Sequence, residues 1–85
     1  MAQLKEAPTL DCLPIGSATR VLTIEGGTTD PVGSRLTDLG FIAGTPIKVV
    51  RRAPLGDPTV LELRGYQMCL RRAEMQRILV EQVRD

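Results

Sequence analysis

Cys12 and Cys69 carry the most reactive side chains of the sequence, and neither has a neighbour suited to metal binding. They lie 57 positions apart, and the chain contains no histidine. Most protein-bound transition metals take closely spaced cysteines or histidines, such as a C-x-x-C pair. Asp57, Glu62 and Glu74 form no cluster in the sequence, so we predict no metal site and no cofactor. Cys69 is expected to be a small buried apolar residue on a strand.

The sequence also lacks the usual combination of a general base and a nucleophile. Histidine is the usual general base near neutral pH, and none is present. Ser17 and Ser34 lie where a turn and a helix start are expected, and no nucleophile–base pair can be identified around them. The sequence therefore predicts no catalytic residues and a protein that is not an enzyme.

Basic residues are concentrated in the second half of the chain. Up to Thr45 there are three basic and five acidic residues, and from Pro46 onward there are eight basic and five acidic ones. Surface arginines commonly face solvent, but arginine is also enriched at protein–protein interfaces. The overall charge is only +1 and Phe41 and Tyr66 are the only aromatic residues. Both facts argue against a nucleic-acid surface, which needs positive charge and stacking rings.

The segment Ala53–Pro58 is the strongest candidate for a contact surface. It reads A-P-L-G-D-P and joins two β-rich segments, residues 46–52 and 59–64. Its prolines fix φ and Gly56 permits a positive φ, so we expect a shaped surface loop rather than a tight hairpin turn. Leu55 at the tip either faces a partner or folds back over the domain, and Asp57 could hydrogen-bond within the loop. The predicted partner-binding residues are Leu55, Gly56, Asp57, Tyr66, Arg51 and Arg71.

A short helix is predicted after the first strand. Asp30 followed by proline is a preferred start, with the aspartate as N-cap. Val32, Leu36 and Leu39 recur at helical spacing, which predicts one buried face. Gly40 is expected to end the helix in the left-handed conformation.

Short segments of apolar and polar alternation predict five strands around this helix. The first is expected to direct Leu22 and Ile24 inward, and Tyr66 is expected to place its ring in the core and its hydroxyl in water. The predicted strands cover residues 20–25, 46–52, 59–64, 66–70 and 77–83, with a helical turn over residues 71–75 before the last.

Three segments in fixed order carry a family resemblance. They are R-L-T-D-L-G-F-I-A-G-T at residues 35–45, A-P-L-G-D-P at residues 53–58 and R-G-Y-Q-M-C-L-R-R-A-E at residues 64–74. Together they resemble the FeoA family of small bacterial proteins, over a span from about Leu13 to Val80. That family is encoded with the FeoB ferrous-iron permease and adopts an SH3-like β-barrel.

The resemblance implies both a fold and a function. The expected fold is mostly β, a small SH3-like barrel of about five strands with one short helix after the first strand and a helical turn before the last. Residues 1–9 are expected to form a flexible N-terminus and residues 10–85 the FeoA-like domain. The implied function is that of a non-enzymatic cytoplasmic accessory protein of ferrous-iron uptake, which binds the cytosolic part of a FeoB-like permease. No signal-peptide pattern and no membrane-spanning apolar run is seen in the sequence.

Other functions stay open at this point. Similar SH3-like domains occur at the C-terminus of iron-dependent repressors of the diphtheria-toxin-repressor type, so the chain could act on a transcriptional regulator. A small barrel could also bind nucleic acid directly. Because FeoB resembles GTPases in its cytosolic domain, an arginine of this chain could supply charge to GTP hydrolysis. The sequence gives no oligomeric state, since exposed strand edges can pair between copies.

Overall fold

Five β-strands and two short helices follow one another in the computed structural model, which describes residues 7–81. The strands are β1 Ala18–Ile24, β2 Pro46–Arg52, β3 Thr59–Leu63, β4 Tyr66–Leu70 and β5 Ile78–Val80. The helices are α1 Pro31–Leu39, between β1 and β2, and α2 Arg72–Met75, between β4 and β5; one turn of 3-10 helix, Leu10–Cys12, precedes β1. The predicted order of a mostly β fold is confirmed. The last strand is shorter than predicted, and residues 82 and 83 of that prediction lie outside the described residues.

The strands form one antiparallel sheet in the order β4-β3-β2-β1-β5. Its register shifts at two places, between Val21 and Thr23 on β1 and between Val49 and Arg51 on β2. Such bulges bend a strand and increase its twist, which lets a five-stranded sheet curl around a small core.

The free side of β5 is covered by the segment that precedes the 3-10 turn. The N–H of Val80 donates to the carbonyl oxygen of Pro8 at 3.0 Å, and Thr9 pairs with Leu79. The described part of the predicted N-terminal region is therefore hydrogen-bonded to the sheet. Residues 1–6 lie outside the described residues.

The ends of α1 agree with the sequence prediction, but its buried face does not. A carboxylate oxygen of Asp30 accepts from the N–H of Gly33 at 3.1 Å, and Gly40 ends the helix with a φ of 113°. Gly33 lies so close to the preceding turn that a Cβ on it would sit 1.9 Å from the carbonyl oxygen of Gly27. This close approach turns the Gly33 and Leu36 side of α1 inward. The prediction that Val32 and Leu39 are buried was wrong, because α1 packs through Gly33 and Leu36 and leaves Val32 and Leu39 on its exposed side.

The core is aliphatic apart from one phenylalanine and one methionine. Its fourteen buried apolar residues are Leu10, Leu13, Val21, Ile24, Leu36, Phe41, Ile47, Val49, Leu61, Leu63, Leu70, Met75, Ile78 and Val80. The prediction that Leu22 faces inward was wrong. The bulge on β1 directs Val21 and Ile24 inward instead, and leaves Leu22 41% exposed.

Arg77 joins the start of α1 to the end of β1. Its guanidinium donates to both carboxylate oxygens of Asp30, at 2.8 and 3.0 Å, and its Nε donates to the carbonyl oxygen of Glu25 at 2.9 Å. The hydrogen bonds from Arg77, and then that from Gly33, lower the pKa of Asp30 below its ordinary value of 3.8. The folded state therefore favours the ionised carboxylate of Asp30.

The ion pair predicts a loss of stability in acid. Because the pKa of Asp30 is lower in the folded state, its contribution is complete above about pH 4 and disappears as the pH falls through the folded-state pKa. Asp30→Asn keeps an N-cap acceptor but removes the charge that pairs with Arg77. We expect this variant to have a lower Tm at neutral pH and a shallower decrease of Tm in acid. Thermal unfolding followed by circular dichroism between about pH 7 and pH 2.5 measures both.

Asp38→Asn is the matched control, because Asp38 is an exposed carboxylate on the same helix with no ion pair among residues 7–81. It should keep the acid dependence of the wild-type chain. An unchanged acid slope in Asp30→Asn would contradict the assignment to the Asp30–Arg77 pair.

Candidate functional site

The segment Ala53–Pro58, called the proline loop below, is ordered by its own backbone. The N–H of Ala53 donates to the carbonyl oxygen of Pro58 at 3.0 Å, and the N–H of Gly56 donates to the carbonyl oxygen of Ala53 at 2.7 Å. Gly56 has a φ of 90°, which a residue with a Cβ adopts only with strain. Leu55 points away from the domain and is 93% exposed. Of the two orientations left open by the sequence, the structure has the outward one.

The proline loop is also attached to the start of α2. Oδ1 of Asp57 accepts from the N–H of Arg72 at 2.7 Å, so the carboxylate bonds outside its own loop. The Arg72 guanidinium lies over the glycine of the loop: a Cβ on Gly56 would sit 3.2 Å from Nη2. The Asp57–Pro58 peptide bond is cis. Through its hydrogen bond to the Arg72 N–H, Asp57 positions the loop. Arg72 thus belongs to the site, although the sequence prediction omitted it.

Arginine side chains surround the proline loop. The last residue pair of the β2–β3 ladder before the proline loop joins Arg52 to Thr59, and the pair next to it joins Arg51 to Val60. Arg51 therefore lies close to the base of the loop. Arg71 is exposed immediately before α2. Within residues 7–81, ion pairs join only Arg35 to Glu74 and Arg77 to Asp30, so the guanidinium groups of Arg51, Arg71 and Arg72 have no ion-pair partner there. The surface next to Leu55 is therefore positively charged.

The carboxylate of Glu74 is bound by two arginines, Arg71 and Arg35. Its carboxylate accepts from the N–H of Arg71 at 2.9 Å and pairs with Arg35. Partial burial opposes ionisation, but the hydrogen bonds from Arg71 and Arg35 outweigh it and lower the pKa of Glu74. Glu74 stays ionised at neutral pH and fixes the backbone from which the Arg71 side chain projects.

Tyr66 lies apart from the other predicted contact residues. It pairs with Leu63 at one end of β4, whereas Leu70 pairs with Thr59 at the base of the proline loop. Leu70 follows Tyr66 by four positions along the strand, which is about 13 Å. Tyr66 is 70% exposed, so the prediction that its ring lies in the core was wrong. It is the first residue of β4, and no element within residues 7–81 covers it. The structure thus brings together Leu55, Gly56, Asp57 and Arg71, with Arg51 nearby, and leaves Tyr66 at a distance.

A second exposed apolar surface was missed by the sequence analysis. Leu22, Phe41, Ile42 and Ala43 line a shallow groove between β1 and the end of α1, called the β1–α1 groove below. Leu22 and Ile42 are both well exposed in it. The groove depends on the bulge of β1, which regular alternation does not predict.

Both cysteines are exposed, so the prediction of a buried Cys69 was wrong. Alternation along β4 places Gln67 and Cys69 on the outer face of the sheet and Leu70 in the core. Between residues 7 and 81, no three histidine, cysteine, aspartate or glutamate side chains lie close enough together to hold a metal ion.

Comparison with known families and structures completes the description. A family model described as the FeoA domain matches residues 9–82. The chain belongs to the FeoA family. A FeoA-like protein from Clostridium acetobutylicum is 36% identical, with a TM-score of 0.81 over 92% of this chain and 88% of that one. FeoA from Stenotrophomonas maltophilia, solved in complex with zinc and described as a prokaryotic SH3 domain protein, is 28% identical, with a TM-score of 0.78 over 88% of this chain and 91% of that one. The predicted FeoA membership and SH3-like fold are confirmed.

Two solved structures of lower identity share the fold of this FeoA-family chain. ScaR with bound cadmium is 19% identical, with a TM-score of 0.77 over 92% of this chain but only 37% of that one. A manganese-dependent transcriptional repressor is 18% identical, with a TM-score of 0.74 over 89% of this chain and 42% of that one. At such identities the likeness concerns the fold alone. No helix in the described part of the chain is long and apolar enough to span a membrane.

The bond between Asp57 and Arg72 predicts a difference between two substitutions. Asp57→Ala removes the acceptor and should release the proline loop from α2, at a cost of about 1 kcal/mol in the free energy of unfolding. Asp57→Asn keeps an acceptor oxygen and should lose less. Amide hydrogen exchange at Arg72 measures the release directly, and denaturant unfolding measures the stability. Equal protection of the Arg72 amide in the wild-type chain and Asp57→Ala would contradict the role given to Asp57.

Proposed function

We propose that this chain is a non-enzymatic cytoplasmic accessory protein of ferrous-iron uptake that binds the cytosolic part of a FeoB-like permease through the proline loop. Family membership supports the connection with iron uptake. The Stenotrophomonas maltophilia relative is described as a candidate activating factor of bacterial ferrous-iron transport. The observation that carries the choice of surface is Leu55, an exposed leucine on a loop that is hydrogen-bonded internally and to α2.

The physical basis for binding is a preformed apolar anchor. A leucine side chain transferred from water into a partner's pocket contributes about 1.5–3 kcal/mol. The hydrogen bonds that close the loop and the bond from Arg72 to Asp57 hold Leu55 in place before binding. Less conformational entropy is then lost on association.

The charge around this anchor indicates the kind of surface it meets. The guanidinium groups of Arg51, Arg71 and Arg72 have no ion-pair partner among the residues that the structure describes. A complementary partner surface would present a small apolar pocket with carboxylates at its rim. Charges of this kind increase the association rate and orient the encounter, whereas the buried leucine supplies affinity.

Leu55→Asp tests the proposed contact. The change puts a charge into the partner's apolar pocket, and should weaken binding to the purified cytosolic domain of the cognate FeoB-like permease at least about tenfold. The fold should be unaffected because the side chain contacts almost nothing in the domain. Isothermal titration calorimetry gives the affinity, with GDP and then with a non-hydrolysable GTP analogue. Different affinities in the two states would show that the chain senses the nucleotide.

Ile42→Asp is the matched comparison, since it adds the same charge to the exposed β1–α1 groove. It should leave the affinity within about twofold of the wild-type value. Loss of binding in Ile42→Asp together with unchanged binding in Leu55→Asp would move the contact to the groove.

A second candidate is an action on an iron-dependent transcriptional regulator. The fold of a manganese-dependent transcriptional repressor favours it, because this chain matches 42% of that protein. Saturable binding to a purified iron-dependent repressor, with none to the permease domain, would establish this function in place of the first.

A further inference from the structure

Among residues 7–81, no backbone segment is hydrogen-bonded to the outer edge of β4, and this strand lacks the usual protection of an edge strand. The opposite edge of the sheet, β5, is covered by Pro8 and Thr9. Among residues 7–81, β4 pairs with β3 alone, in unbroken register over five residue pairs. Its sequence, Y-Q-M-C-L, has no charge and no proline. Edge strands in soluble proteins are normally protected by charges, prolines or bulges, so an uncovered edge without them is suited to strand addition.

The hairpin turn determines which backbone groups point outward. Arg64 and Gly65 have φ values of 55° and 85°, as in a two-residue type I′ turn, so Leu63 and Tyr66 form a hydrogen-bonded pair. Hydrogen-bonded and non-bonded pairs alternate along an antiparallel ladder. The N–H and C=O groups of Gln67 and Cys69 therefore point away from β3. An incoming strand can form four backbone hydrogen bonds with them.

Both ends of this edge are positively charged. Arg64 lies in the turn before β4, and Arg71 and Arg72 follow its last residue. Within the described range, no carboxylate forms an ion pair with the guanidinium group of any of the three. The two charged ends are about seven residues apart, which is about 23 Å in extended chain. A strand that binds here gains most if it has a carboxylate at each end.

The same charges make a second copy of this chain a poor occupant. The antiparallel self-pairing that uses all four outward groups of each copy places Gln67 of one copy opposite Cys69 of the other. That register also brings Arg64 of each copy opposite Arg72 of the other. Like charges directly opposite one another destabilise a strand pair.

We propose that β4 receives an extended strand from the cytosolic part of the FeoB-like permease, about five uncharged residues long with aspartate or glutamate at each end. This inference rests on the proposed function and extends it from the proline loop to the neighbouring edge. Leu70 at the end of β4 pairs with Thr59 at the base of the loop, so the added strand would reach the vicinity of Leu55. At its other end it would lie beside the exposed ring of Tyr66.

The test uses a synthetic peptide, Asp-Val-Thr-Val-Thr-Val-Asp with blocked termini, and the full chain. Amide hydrogen exchange is measured residue by residue by NMR. The peptide should slow exchange at Gln67 and Cys69, and should do so less when its aspartates are replaced by asparagine. No change at these two amides at millimolar peptide would overturn the proposal.

Two variants separate the backbone contribution from the side chain. Gln67→Pro removes an outward N–H, a change that edge strands tolerate, and should weaken peptide binding at least about tenfold. Gln67→Ala keeps the N–H and should bind like the wild-type chain. Equal binding by both variants would overturn the proposal. If Gln67→Pro does not fold, the exchange measurement on the wild-type chain decides alone.

The cytosolic domain of the permease distinguishes this inference from the proposed function. Binding of that domain that is lost in Gln67→Pro and kept in Gln67→Ala supports strand addition. Binding that both variants keep overturns the β4 proposal and leaves the proposed function intact. If the wild-type chain does not bind the domain, the proposed function is wrong, and the added strand does not come from the permease. Slower amide exchange with the peptide would in that case still support the binding of an acidic strand at this edge.

Discussion

The hydrogen bond from the Arg72 N–H to the Asp57 carboxylate is the contact on which the candidate site depends. It joins two segments 15 positions apart, the connection between β2 and β3 and the start of α2. Without it, the proline loop would lose its hydrogen bond to α2, and Leu55 would be less fixed relative to Arg71. One hydrogen bond contributes about 1 kcal/mol, which is small for the fold but large for the position of a single loop.

The domain is asymmetric, and its asymmetry separates stability from binding. Arg77 links α1 to the end of β1, and the chain before the 3-10 turn covers β5, so contacts at that side hold the barrel together. The proline loop and the uncovered edge of β4 lie at the other side of the sheet. Substitutions at the tip of the loop can therefore change binding with little effect on the core. An 85-residue chain has a modest stability, so such a separation is useful.

Features that depend on adjacent residues, such as helix ends, were predicted from the sequence more often than features that depend on how the strands and helices pack. Asp30 and Gly40 gave the ends of α1 because capping depends on a few adjacent residues. The inward direction of Leu22 was predicted wrongly because a bulge cannot be seen in regular alternation. The bond between Asp57 and Arg72 joins residues distant in sequence, and no spacing rule indicates it. The loop and the family were predictable, whereas the outward direction of Leu55 and the outer edge of β4 required the structure.

The central claim is that the proline loop and the edge of β4 form one contact surface for the permease. Its most direct test is an NMR titration of the isotope-labelled chain with the unlabelled cytosolic domain of the cognate FeoB-like permease. Shift changes should concentrate on residues 53–58 and 64–72, and leave the β1–α1 groove little affected. Changes concentrated on the groove, or the absence of any change, would contradict the claim.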